Sequence, residues 1–161
     1  MQYAGTSLEN HNHRRGIILK QATRTPVHLW IVGVVSLLWN CVGAFDYLAS
    51  QLKIEFYMSQ FSPELLDYFY NFPAWAVAAW AVGVWGALFG SVALLLRKSW
   101  VVWLFGASIL GLAVNSVYTY WLSNGLDLMG DGAAIFTGVI WVVALLLFFY
   151  ARAMARRGVL R

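Results

Sequence analysis

Charge is scarce in this chain. Asp, Glu, Lys and Arg together make up 11% of its 161 residues, against roughly 25% in an ordinary soluble domain. A soluble fold of this size could not hide the remaining apolar surface from water, which excludes the ordinary soluble class. Cysteine occurs once, as Cys41, so no intramolecular disulfide can form and the redox compartment stays unread. Cys41 follows Leu38-Trp39-Asn40 deep inside a long apolar run, an unsuitable setting for a lipoprotein cleavage box. Histidine is nearly as rare. His11 and His13 lack metal-ligand spacing, and His28 alone lies near an apolar run, so facing haem ligands are missing. Asp127 and Asp131, in DLMGDG, fall short of a calcium ligand set. No nucleophile with its base and no phosphate-binding loop can be assembled. The expectation is a protein with no catalytic residues, no metal and no cofactor, and not an enzyme.

What the chain has in excess is apolar: 61% hydrophobic and 17% aromatic residues, including nine Trp. Four runs, at about 27–50, 73–96, 100–122 and 133–150, are each long enough to cross a bilayer at ~1.5 Å per helical residue. The first begins too late and runs too long for a cleavable signal peptide. Trp30, Trp75, Trp100 and Trp121 stand near run ends, where an amphipathic ring suits the headgroup layer. The fold expected is all-α, a bundle of four transmembrane helices with a short amphipathic interfacial helix between spans 1 and 2. Residues 1–26 read as a disordered basic tail, 27–152 as the membrane domain and 153–161 as a second basic tail.

Helix starts are legible along the chain. Thr25-Pro26 reads as N-cap and first helical residue of span 1, and Ser62-Pro63 as the start of the interfacial helix. In that helix Glu64, Asp67 and Asn71 face one way and Leu65, Leu66 and Phe69 the other. Pro73 opens span 2, Ser99 is a candidate cap for span 3, and Asp131 for span 4. The turn Arg97-Lys98-Ser99 is so short that spans 2 and 3 must be antiparallel neighbours.

Small and polar residues form stripes on these runs. Gly33, Ser36, Asn40, Gly43, Tyr47 and Ser50 recur at alternating steps of three and four, which places them on one face of span 1. Ala79, Gly83, Gly86 and Gly90 do the same on span 2, and Ser108, Gly111, Asn115 and Thr119 on span 3. Such stripes let helix backbones approach closely and give buried amides a partner. Asn40 and Asn115 can also be superposed as equivalents in two similar hairpins, a duplication or a convergence of span composition.

Ten of the eleven Lys and Arg lie in the N-terminal tail, the Arg97-Lys98 turn and the C-terminal segment. Lys53 alone falls on the other side, with Glu55, Glu64, Asp67, Asp127 and Asp131. The positive-inside rule then puts both termini in the cytoplasm of a multi-pass bacterial inner-membrane protein. The basic residues are thereby accounted for without nucleic acid.

Counted from the basic end of each span, Asn40 lies ~20 Å deep, Asn115 ~22 Å and Asp46 ~28 Å, the last level with Tyr118, Thr119 and Tyr120. Two readings stay open. In one, Asn40 and Asn115 floor a polar pocket open to the outside, with Asp46 at its mouth and Tyr47, Tyr118 and Thr119 nearby. In the other, these residues are an interhelical polar clamp, and an acid that reaches interfacial water.

The strings HLWIVGVVSLLWNCVGAFDY, FYNFPAWAVAAWAVGVWG, SNGLDLMG and YARAMARRGVL resemble a family of small proteobacterial four-span inner-membrane proteins. The function of that family is undetermined, and some members carry a sugar-transporter label. The resemblance covers nearly everything after residue 26 and implies no catalytic or binding residues. The leading expectation is a non-enzymatic membrane protein that contacts the lipid bilayer and packs as a homo-oligomer or as an accessory subunit of a larger membrane complex. The alternative is an oligomeric transporter of a small polar solute, with a site near Asn40, Asn115 and Asp46.

Overall fold

The computed structural model describes residues 25–161. The basic tail expected over 1–26 therefore lies outside the described residues, apart from Thr25 and Pro26. Helices follow one another as α1 (Val27–Gln51), α2 (Glu55–Met58), α3 (Pro63–Tyr70), α4 (Ala74–Leu95), α5 (Val101–Val117) and α6 (Gly125–Arg156), with no strand among the described residues. The end of α5 widens into a π-helical turn, Tyr118–Leu122. Four of these helices are long and apolar enough to cross a membrane, α1, α4, α5 with its π turn, and α6. The chain is a multi-pass integral membrane protein built as an all-helical bundle.

Several helix starts differ from the sequence reading. Pro26 is itself the N-cap of α1, with extended backbone at φ −68° and ψ 142°, and Pro73 occupies the same position before α4 at −65° and 145°. A proline ring holds φ near −65° in extended as well as helical backbone, and its missing N–H costs nothing in either position. Thr25, freed from capping, accepts a hydrogen bond from the Arg97 guanidinium at 2.7 Å. Ser62 does cap α3, its hydroxyl accepting from the Leu65 amide at 3.3 Å. Before α5 the cap position belongs to Trp100 and not Ser99. Helix α6 is two helices joined across a kink at Gly130, where φ is +72° and ψ 178°, a conformation suited to a residue without Cβ, and the fourth apolar run follows that kink close to the start expected at 133.

Helix α4 is the centre of the arrangement: α1 and α5 both pack on it, and α6 packs on α5. The α4–α5 seam is made by glycine. A Cβ on Gly111 would stand 2.5 Å from both the Ala79 carbonyl oxygen and the Gly83 nitrogen, and one on Gly90 2.6 Å from the Phe105 ring. One on Gly86 would meet the Leu104 carbonyl oxygen at 3.1 Å, while Ser108 donates to the Gly83 carbonyl at 2.6 Å. On the α1 side, Gly33 lies under the Leu95 side chain, and buried Ser36 donates to the carbonyl of Gly33 in its own helix at 3.0 Å. Gly43 departs from the expected stripe. Nothing stands within 4 Å of a Cβ placed there, and it is Ala44 that is buried.

At the end carrying the basic turn, all four long helices converge. Leu29, Leu94, Val101, Phe105, Leu147 and Met154 form one buried cluster, and His28 meets the Tyr150 hydroxyl at 2.5 Å. The segment after α6 is no free tail. Val159 and Leu160 are buried in the same cluster. The Arg161 amide donates to the Arg97 carbonyl at 2.6 Å, and the Ser99 amide to the Arg161 carbonyl at 2.8 Å. Of the expected tail over 153–161, residues 153–156 continue α6 and residues 157–161 dock against the Arg97–Ser99 turn, where Arg97 has φ +57°.

Gly111→Ala places a methyl against backbone that cannot rotate away, so a loss of about 1–3 kcal/mol is expected. Gly43→Ala meets open space and gains helix propensity of up to ~1 kcal/mol. Unfolding of the two variants in mixed detergent should separate them in those opposite directions.

Candidate functional site

Opposite the basic cluster, the four apolar helices do not close on one another. Between them lies a partly open cavity of about 520 Å³, lined by all four together with the aromatic side chains of the α1–α4 connection. Phe105 and Leu147, both part of the buried cluster, close it toward the basic end. Tyr57, Phe61, Phe69 and Phe72 cover it toward the acidic loops. Most of the wall is aromatic or aliphatic, with Asn40, Asp46, Ser108, Asn115, Ser116, Thr119 and Thr137 as polar points. Large rings on both sides hold α1 and α6 apart, Trp39 and Phe136 meeting at 6.1 Å between centroids.

The lid is a chain of rings. Tyr57 contacts Phe61 at 5.4 Å, Phe61 contacts Phe69 at 5.9 Å, Phe69 stacks on Phe72 at 5.8 Å, and Phe72 meets Tyr118 at 4.9 Å. Edge-to-face and offset pairs of this kind each add about 0.5–1.5 kcal/mol beyond their burial. The π turn anchors the far side, since the Ser123 hydroxyl donates to the Tyr118 carbonyl at 2.8 Å and is hydrogen-bonded to the Tyr68 hydroxyl at 2.8 Å.

Tyr57 joins the lid to span 1: its hydroxyl donates to Asp46, and its ring stands edge-on to Phe45 at 5.8 Å. Partial burial, and after it the hydrogen bond and negative charge of Asp46, push the Tyr57 phenol above its ordinary range and keep it a donor. Glu64, exposed on the outer face of α3, is held below the usual carboxylate range by its own backbone amide and by the Ser62 hydroxyl.

The two asparagines do not meet. Asn40 donates to the Ser91 hydroxyl at 2.9 Å and the Ala87 carbonyl at 3.3 Å, and Asn115 to the Ala76 carbonyl at 3.5 Å. Both amides therefore clamp onto α4, at points eleven residues apart and so about 16 Å from each other along its axis. Equal depth fails because α1 begins about two turns beyond the end of α4, with Gly33 already level with Leu95. The order is corrected in the same way. Tyr47, next to Asp46, packs edge-on against Trp80 at 5.1 Å, whereas Asn115 reaches Ala76, nearer the acidic end of α4. Asp46 is thus a mid-cavity group and Asn115 the outer one.

Rings border the pocket toward the acidic loops, and it is partly open. Thr119 lines it, but Tyr47 and Tyr118 do not: Tyr47 fills the α1–α4 groove against Trp80 and Trp85, and Tyr118 sits among Tyr68, Phe72 and Trp75. Gly43 borders the cavity instead of a helix. Residues missed from sequence are Tyr57, Ser91 and the lid aromatics. The one available signal was that a carboxylate within a span needs a donor, and the connection that follows it offers Tyr57. Comparison with protein-family models, with curated proteins and with solved structures gives no match.

The latch predicts a pH dependence with a defined sign. A phenol whose folded value is raised contributes stability fully below its unfolded value, about pH 10, and loses it as pH rises through the higher folded value. Ultraviolet titration of wild type minus Tyr57→Phe should show one tyrosine that stays un-ionised where free phenols ionise.

Proposed function

We propose that the protein is a non-enzymatic solute-binding protein of the bacterial inner membrane, both termini in the cytoplasm, whose cavity loads from the periplasmic side beneath the aromatic lid. The observation that carries this reading is the cavity itself. At about 520 Å³ it falls in the range of small-molecule sites, and its wall has their composition, apolar with a few convergent polar groups. The orientation rests on the placement of the basic residues. Loading from the acidic side is supported by the buried cluster at the basic end and by the thinner aromatic cover at the other. The hinges that would let the lid move lie on that side too, at the π turn and at Gly130.

The reading as an oligomeric or accessory packing subunit rested on the small-residue stripes. Gly83, Gly86, Gly90, Ser108 and Gly111 face one another inside the protomer, so they offer no seam to a second copy. A sugar, the solute suggested by the label on the resembling family, would set most of its hydroxyls against hydrocarbon in this cavity. A largely apolar solute with one polar end fits the wall better.

Gly43→Phe puts a ring into the cavity from a position with no neighbour within 4 Å. Native mass spectrometry of protein extracted in lipid nanodiscs should show a small-molecule adduct on wild type that is lost from Gly43→Phe. The same adduct mass and occupancy on both proteins would count against the site.

A further inference from the structure

The charge of the solute can be read from the wall, given the cavity reading above. Asp46 is the one carboxylate among the lining residues, and no Lys, Arg or His stands with it among the described residues of that wall. Its hydrogen-bond donor there is the neutral Tyr57 hydroxyl, on one oxygen. A half-buried carboxylate with one neutral partner on one oxygen is an incomplete pairing, which a cation completes.

The two asparagines add acceptors. Each asparagine uses its NH₂ group on α4, and carbonyl acceptors at Ala87 and Ala76 fix which amide atom is which. The two side-chain carbonyl oxygens receive no hydrogen bond from the described residues. No side-chain polar atom among the described residues that is cut off from accessible space lacks a partner. Both oxygens are therefore the parts of these amides reachable from the cavity they line. The negative faces of the lid rings complete a surface that attracts positive charge.

We propose that the solute is a lipophilic monocation, a single ammonium or phosphonium charge on an apolar body, with the charge held between Asp46 and the lid rings. One carboxylate sets the charge at one, and the aliphatic and aromatic wall sets the body as apolar. A free metal ion or a zwitterion would leave this wall unmatched.

The test uses the full chain in nanodiscs, with benzyltrimethylammonium and its uncharged carbon isostere neopentylbenzene as probes. Binding is read from the fluorescence of Trp39 and Trp80, which line the cavity. Wild type should bind the cation about tenfold or more tighter than the isostere. Asp46→Asn, which still offers Tyr57 an oxygen, should abolish that preference, while Asp46→Glu should retain it. Equal binding of both probes to wild type and to Asp46→Asn would overturn the charge assignment. If that equal binding is lost in Gly43→Phe, the cavity reading survives alone; if Gly43→Phe changes neither probe's signal, both fall.

Discussion

The approach of α5 to α4 at Gly111 sets the rest of the molecule. With a side chain there the two backbones could not lie as close as they do, since the Ala79 carbonyl and the Gly83 amide occupy the space a Cβ would need. In a bilayer no hydrophobic force drives helices together, so close packing and interhelical hydrogen bonds must do it. Glycine at the seam and the hydroxyl of Ser108 supply both. Asn40 repeats the device about a quarter-turn round α4, where its amide finds Ser91 and Ala87. Helix α4 is thus held tightly on two sides.

The same tightness produces the cavity. Bound closely to α4, α1 and α5 turn their other faces toward α6, and there the contacts are large rings such as Trp39 and Phe136 in place of glycine. Small residues on one side and bulky ones on the other leave space between the four helices at the acidic end. At the basic end Leu29, Phe105, Leu147 and the docked Val159–Leu160 segment fill it. One end of the bundle is a packed core, the other a chamber under rings.

Much of this architecture was legible in the sequence, because lipid leaves few options. A spanning segment must satisfy its backbone internally, so runs of twenty apolar residues become helices, and the four apolar helices appear with ends close to those read from the runs. The site was legible only in its ingredients. Asn40, Asp46, Asn115 and Thr119 do line one cavity, yet their depths were misjudged because α1 starts beyond the level at which α4 ends. That offset is a tertiary fact, fixed by Gly33 under Leu95 and by Leu29 in the basic-end cluster. The lid escaped for a different reason: the rings of Tyr57, Phe61, Phe69 and Phe72 follow no single helical period across two short helices and a proline-led start. Docking of the last residues rests on backbone bonds between Arg97, Ser99 and Arg161, for which side-chain pattern carries no signal.

The central claim is that Gly43 borders a chamber while its neighbour Cys41 lies exposed on the helix surface. Thiol labelling separates the two most directly. In a background with Cys41 replaced by Ser, Gly43→Cys should react with a small polar methanethiosulfonate added from the side of the acidic loops, faster when Tyr57→Phe releases the lid. Native Cys41, on the lipid face, should stay inert to the same reagent. Equal inertness of both thiols, with or without Tyr57, would contradict the chamber and everything assigned to it.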